Sequence, residues 1–316
     1  MENKQIVITQ FGEPEVLAIQ SAEVPSPKPG EVLVKVAFAG VNPIDVKTRA
    51  GLGWAASQNK DKLPWVPGYD ISGQVVSCGE GCERFNVGQN VAGFIGFPLQ
   101  GGGYSQYLCV PENELSLVPD SITLEAAAAL PLAGQTAVQA LDKGGVKEGQ
   151  RVLILAGAGG VGHIAVQVAV AAKAEVFTTC SDVNLDYMAT LGAHAINYKF
   201  SPVSERVTDA DVLIDLVGGD AALDALKCLK DGATVVTIPT LSAELICEKA
   251  KLLGFEATGM LVDPNPQQLD TLIYMVSVGL LKTEIFKVYP MDKAVEAHHQ
   301  IETGHTRGKV LLDMQC

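Results

Sequence analysis

The chain has 316 residues, 47% of them apolar, and carries 36 acidic against 23 basic side chains for a net charge of −13. That excess repels phosphate-bearing polymers and surfaces, which argues against nucleic acid or an anionic membrane as a partner. No apolar run approaches the ~20 residues of a membrane span, the first residues read as a strand rather than a leader peptide, and the length suggests two domains of ~100–200 residues each.

Residues 1–120 alternate β-branched or aromatic runs with turn-forming clusters such as Pro25-Ser-Pro-Lys-Pro-Gly30. Strands are expected at 5–11, 31–41, 71–77, 90–96 and 106–110, giving a partly open β-barrel or sandwich. Residues 53–63, flanked by Trp54 and Trp65, read as a polar loop that could cover a site. Over 121–263 the pattern changes to α/β alternation. Strands are expected at 151–156, 175–180, 195–197, 211–217, 234–239 and 255–261, with helices around 124–142, 160–173, 184–191, 219–229 and 242–253. This is the pattern of a doubly wound parallel sheet. Residues 264–316 give a helix at 266–278, a strand near 285–289, a helix at 291–303 and a closing strand at 308–314. So small a terminal piece is most simply a return to the first domain.

The most informative segment is Val152-Leu-Ile-Leu-Ala-Gly157-Ala-Gly159-Gly160-Val161-Gly162. An apolar strand enters a G-x-G-x-x-G turn and a helix follows at once. The first glycine permits a tight turn, the second lets a pyrophosphate approach the backbone, and the third lets helix and strand pack closely. The helix N-terminus adds N–H donors and a positive dipole end for phosphates. The backbone around Gly160 and Val161 belongs to the same cradle.

Seven cysteines, odd in number and scattered, suit reduced thiols in a cytoplasmic protein. Cys78 and Cys82 form the closest pair, but no second pair lies nearby to complete a four-ligand zinc site. The five histidines show no pair spaced for one helix face.

Several segments in order now point to a family: Ala39-Gly-Val-Asn-Pro-Ile-Asp-Val-Lys-Thr-Arg-Ala-Gly51, Pro67-Gly-Tyr-Asp-Ile-Ser-Gly73, Phe85-Asn-Val-Gly-Gln-Asn-Val-Ala-Gly93, Ala127-Ala-Ala-Leu-Pro-Leu-Ala-Gly-Gln-Thr-Ala137, the glycine turn, and Thr303-Gly-His-Thr-Arg-Gly-Lys-Val-Leu311. Nearly end to end, the chain resembles the medium-chain dehydrogenase/reductases, and within them the zinc-independent quinone oxidoreductases. The resemblance implies an α/β protein with a GroES-like β-rich catalytic domain over 1–120, completed by 264–316, and a Rossmann cofactor domain over 121–263. It also implies a homodimer. Zinc-dependent members carry Cys where this chain has Asn42 and His-Glu where it has Tyr69-Asp70. Amide and phenol replace thiolate and imidazole poorly as ligands, so no metal is expected. Without a Lewis acid to hold an alkoxide, alcohol oxidation is disfavoured. A quinone or another activated double bond needs less help, because the arriving hydride forms a delocalised anion.

Asn42, Asp45 and Tyr69 are the candidates for the substrate pocket. Asn42 and Asp45, with Pro43 at the first helical position, also fit a capping box, a role that does not exclude a site role. Tyr69 could touch substrate or simply pack. For the cofactor, the resemblance places Thr136 at a phosphate or ribose, while Val217 and Ile238 lie at the carboxyl ends of expected strands, the edge where open α/β sheets bind ligands, and suit backbone contacts. NAD sites place an acid about 20 residues beyond the glycines, and here the comparison puts Thr179 at that position. Ser181 follows the strand expected at 175–180 as a small polar residue, the resemblance matches Tyr198 to a tyrosine that contacts the 2′-phosphate in NADPH-dependent relatives, and Arg307 could add positive charge. NADPH is therefore favoured over NADH, although Asp182 opposes it and Asn184 stands where some relatives carry Lys. Lys309 reads as a solvated residue before the closing strand. The leading expectation is hydride transfer from NADPH to a quinone or related activated carbonyl compound. The alternatives are an enone or enoyl double-bond reductase and a dinucleotide-binding sensor or structural protein with little turnover.

Overall fold

The computed structural model describes residues 2–99 and 101–316. They form two compact units, one of residues 1–135 with 264–316 and one of residues 136–263.

In chain order, β1 (Glu2–Ile8) pairs antiparallel with β2 (Leu17–Glu23). The sequence hid β2, because every residue after Leu17 is exposed and no apolar alternation marks it. Next comes β3 (Glu31–Val41), followed by α1 (Pro43–Arg49) and α2 (Gly53–Asn59). The expected loop at 53–63 is therefore largely helical, held by the buried Ala55, Ala56 and Asn59. Trp65 is 1% exposed and exchanges backbone hydrogen bonds with Ile8, so it belongs to the core rather than to a covering flap. Strands β4 (Asp70–Cys78), β5 (Asn90–Phe94), β6 (Tyr107–Pro111) and the short β7 (Leu115–Leu117) complete this stretch. The helix expected over 124–142 is divided into α3 (Leu124–Ala128) and α4 (Pro131–Lys143), as a proline with no N–H to donate dictates.

The second unit continues with β8 (Arg151–Ile154), α5 (Gly162–Ala171), β9 (Glu175–Cys180), α6 (Leu185–Thr190), β10 (His194–Asn197), β11 (Ala210–Asp215), α7 (Gly219–Ala225), β12 (Leu229–Thr237), α8 (Ala243–Leu252) and β13 (Glu256–Gly259). Its six strands are parallel in the order β10-β9-β8-β11-β12-β13. The order reverses between β8 and β11, the switch point where open α/β sheets bind ligands at the carboxyl edge. Leu153, Leu213 and Val235 from the central strands pack with Ala222, Ala225 and Ile246 in one buried cluster.

The chain then returns to the first unit through α9 (Pro266–Ser277), β14 (Ile285–Pro290), α10 (Ala294–Glu302) and β15 (Lys309–Asp313). The sheet there runs β14-β15-β3-β4-β5-β7, with β6 also on β3. Register places Gly40 of β3 opposite both Asp70 of β4 and Leu311 of β15. That alignment brings Lys309 to the start of α1.

Candidate active site

The end of β3 and the first turn of α1 carry a buried polar cluster. Asp45 Oδ2 accepts from the Asn42 backbone N–H at 2.9 Å, the return bond of a capping box. Its Oδ1 accepts from the Gly68 N–H at 3.2 Å. Burial pushes the Asp45 carboxyl up to about 7, with Asp70 adding to the rise, while these N–H donors and Lys309 oppose it. Asn42 is 2% exposed and its amide is engaged at both ends, Oδ1 accepting from Lys309 Nζ and Nδ2 donating to Asp70 Oδ2 at 2.9 Å. Asp70 Oδ2 also takes Lys309 Nζ at 3.0 Å, and its Oδ1 takes the Leu132 N–H at 2.7 Å. A Cβ on Gly40 would sit 2.8 Å from Asp70 Oδ2, so the glycine opposite makes room for this carboxylate.

Lys309 is not solvated as its sequence context suggested. It is 3% exposed, because Asp70 at the start of β4 and Asn42 at the cap of α1 deliver a carboxylate and an amide oxygen to its ammonium and thereby make its burial tolerable. Neither Asp70 nor Lys309 stood out as a site residue in the sequence. The Gly-Lys pair before the last strand was the only signal for the lysine.

Tyr69 is fully buried, and burial, reinforced by Asp45, raises its phenol well above the usual range. Its hydroxyl donates to the Leu99 carbonyl at 3.4 Å. Its ring meets Phe97 edge-on at 5.4 Å and Phe94 at 6.4 Å. Asn42, Asp45 and Tyr69 are thus neighbours, with their polar atoms spent on the chain's own network.

A second buried group lies on α10. His298 Nε2 is 3.2 Å from the Tyr104 hydroxyl, and Arg49, 1% exposed, pairs with Glu302. Burial, with Arg49 and His299 adding to it, pushes the His298 imidazole down to about 3. Between that value and the 6.5 of an unperturbed histidine, the unfolded chain binds the extra proton, so His298 contributes stability in full above pH 6.5 that is lost as pH falls toward 3. Wild type should therefore lose more unfolding free energy than His298→Leu between about pH 7 and about pH 5. Parallel urea-unfolding curves would assign the acid sensitivity elsewhere.

In the second unit, the glycine turn occupies residues 155–161 between β8 and α5. None of its glycines has a positive φ; the left-handed residue is Ala156, at φ 54°. What the glycines supply is room. A Cβ on Gly157 would lie 2.0 Å from Thr178 Oγ1, and one on Gly162 would lie 2.2 Å from the Ala156 carbonyl oxygen. Gly159 is different, its nearest neighbour being that same oxygen at 3.3 Å, so its outer side is open for a ligand. Thr179 points back into the turn, its hydroxyl accepting from the Ala156 N–H at 3.0 Å.

Ser181 follows β9, and its hydroxyl accepts from Asn184 Nδ2 at 3.0 Å. Tyr198 follows β10, joined to β9 by its N–H on the Cys180 carbonyl at 3.3 Å, with a side chain 48% exposed. A cleft of about 230 Å³ lined by Leu185, Ile196, Asn197, Phe200 and Arg206 borders the same strand end. Val217 and Gly218 are held by their N–H groups on Asp215 Oδ1, at 2.9 and 2.7 Å, while Thr237 holds Oδ2. Asp215, fully buried, is a positioning residue the sequence reading passed over, although an acid ending an apolar strand marks it. The Ile238 N–H donates to the Asp215 carbonyl at 3.0 Å. Thr136 lies buried in α4 at the start of this unit. Arg307 belongs to the first unit, where it pairs with Glu284 at 2.7 Å. The structure thus gathers Gly157 to Gly162, Ser181, Tyr198, Val217 and Ile238 at the carboxyl edge of the parallel sheet, and Asn42, Asp45 and Tyr69 at the start of α1. Among the described residues, no three His, Cys, Asp or Glu side chains are grouped to hold a metal, and no helix is long and apolar enough to cross a membrane.

Comparison with known proteins matches residues 28–120 to the alcohol dehydrogenase GroES-like domain and residues 191–312 to the zinc-binding dehydrogenase family. A 2-methylene-furan-3-one reductase of Solanum lycopersicum is 34% identical, covering 98% of this chain and 79% of its own. The mitochondrial NAD(P)H oxidoreductase RTN4IP1 of Bos taurus is 33% identical over 98% of this chain and 88% of its own. The quinone oxidoreductase of Coxiella burnetii superimposes with a TM-score of 0.95 at 39% identity, covering 99% of each chain.

The fold is therefore that of the medium-chain dehydrogenase/reductases, a GroES-like β-rich domain and a Rossmann-like parallel sheet. Within that superfamily, the chain belongs to the quinone oxidoreductase-like members.

Proposed function

We propose that the protein transfers hydride from NADPH to a quinone or related activated carbonyl acceptor without a metal. The observation that carries this reading is the glycine turn at the carboxyl edge of the parallel sheet, with Gly159 open beside the N-terminus of the ten-residue α5, in a chain of this family. The backbone of Gly157 to Gly162 and the positive end of α5 would hold the pyrophosphate. Asp215 would fix the strand-end loop carrying Val217 and Gly218 against the same ligand. The half-exposed Tyr198 and Ser181, with no acid at Thr179, suit a 2′-phosphate better than a free ribose.

When bound, the reduced nicotinamide supplies the hydride. Quinone, NADPH and one proton give hydroquinone and NADP+, the additional proton coming from solvent. The residues of the α1 cluster support the acceptor site from behind rather than trade protons, since they are buried and their polar atoms are already engaged. A metal finds poor donors here. Asn42 and Tyr69 offer amide and phenol, and Asp70 is occupied by Lys309, Asn42 and the Leu132 N–H. A cytoplasmic setting suits seven free cysteines. The open edge of β13, next to the exposed Leu252, Leu253 and Leu261, suits pairing with a second copy in a homodimer.

The test is NADPH and NADH oxidation by the purified protein with p-benzoquinone, phenanthrenequinone and a short enone, each with and without EDTA. Saturable, chelator-insensitive oxidation of NADPH with quinone is expected. Loss with EDTA and recovery with zinc would overturn the metal-free reading, and NADPH binding without turnover would overturn the enzymatic one. Turnover with the enone alone would establish a second reading, double-bond reduction, which the similarity to a 2-methylene-furan-3-one reductase favours.

A further inference from the structure

The three residues expected to line an acceptor pocket are buried, but the rings packed beside them are not. Phe97 lies 5.4 Å from Tyr69 and 5.8 Å from Trp54, and the planes of Phe97 and Trp54 stand 83° apart. Both rings keep part of their surface open. Leu52 and Leu99, close to them in sequence, are exposed. Behind Phe97, at 5.0 Å, the buried Phe94 gives it a rigid backing.

The loop that carries Phe97 is held in place as well. Tyr69 donates to the Leu99 carbonyl, and a Cβ on Gly101 or Gly103 would lie within 3.0 Å of the Gly68 carbonyl oxygen, so this backbone packs directly on Gly68. Two nearly perpendicular rings form a corner. A flat ring seated in it stacks on one wall and meets the other edge to face, the two arrangements aromatic pairs favour. A small quinone fills little of such a corner, and a linear aliphatic chain gains neither contact.

We propose that Trp54 and Phe97 form the acceptor-selecting surface, and that it selects flat fused-ring quinones over small or linear acceptors. The proposal rests on the reductase reading above. It assigns specificity to α2 and to the loop after β5, and leaves Asn42, Asp45 and Tyr69 as the scaffold behind them.

The experiment has two readouts. The first is kcat/KM with NADPH for phenanthrenequinone, p-benzoquinone and hexenal, in wild type, Trp54→Leu and Phe97→Leu. The preference for phenanthrenequinone over p-benzoquinone should fall about tenfold in each variant, mainly through KM, as the loss of one aromatic pairing implies. The second is titration of tryptophan emission with phenanthrol, a flat probe that accepts no hydride. Wild type should be half-quenched at an about tenfold lower probe concentration than Trp54→Leu, in which the buried Trp65 still reports binding through energy transfer. An unchanged preference, or a half-quenching concentration unchanged in Trp54→Leu, would overturn the proposal. If no acceptor is reduced, the reductase reading fails on its own while the titration still decides whether the corner binds flat rings. The wild-type titration also stands if Phe97→Leu does not fold.

Discussion

Lys309→Met should lower the unfolding free energy by about 3 to 5 kcal/mol, the cost of stranding one member of a buried ion pair. The methionine matches the length of the lysine stem, so packing is largely conserved and the loss is electrostatic. Asp70, fully buried, would retain only the Leu132 N–H and the Asn42 amide. Asn42 would lose the donor to its Oδ1 and with it the anchor of the α1 cap. Adding Asp70→Asn to Lys309→Met removes the stranded charge and should return part of the stability. A double variant as unstable as the sum of the two single ones would show that the pair is not coupled. Urea unfolding of the four proteins measures this directly.

The second large effect separates two glycines of one motif. Gly162→Ala drives a methyl to 2.2 Å from the Ala156 carbonyl and 2.7 Å from the Gly157 Cα, both backbone atoms that move only with the turn. It should cost about 1 to 3 kcal/mol of stability and weaken NADPH binding at least tenfold. Gly159→Ala meets nothing closer than 3.3 Å. It should therefore leave stability near wild type while weakening NADPH through the methyl alone, on the side where a pyrophosphate approaches. Calorimetric titration of both variants with NADPH, alongside their thermal midpoints, tests the pair. A Gly159→Ala protein that binds NADPH like wild type would remove the cofactor from this turn.

The contrast shows what the sequence could and could not convey. Strand, glycine turn and helix were legible as an ordered pattern, but the reason for the glycines was not. None of them takes up a left-handed conformation; a threonine side chain and a backbone oxygen fill the space a Cβ would need, and both come from packing. The alternating apolar runs around β3, β4 and β5 revealed those strands, whereas the exposed β2 had no periodicity to reveal it.

Adjacent His298 and His299 illustrate the same limit. The rotation of about 100° between consecutive helical residues sends the first to Tyr104 in the interior and the second to the exposed Glu15. Lys309 was the hardest to read, because its partner Asp70 is 239 residues away and a lysine ahead of a strand is ordinarily solvated. The neighbourhood of Asn42, Asp45 and Tyr69 could be anticipated. That their polar atoms would be consumed internally, with Trp54 and Phe97 left partly open beside them, could not.

Strand β15 lies between β14 and β3, so its place in the first unit is filled from the far end of the polypeptide. On the ribosome, residues 136–263 emerge as one uninterrupted stretch and have every strand of their sheet before β15 is made. Until then the nascent chain holds residues 38–41 of β3 without a partner on the edge that β6 covers only at 31–35, and Asp70 without its counter-ion. Translation thus imposes a fixed order of assembly, in which one late strand both fills the gap beside β3 and brings the lysine that neutralises the waiting carboxylate.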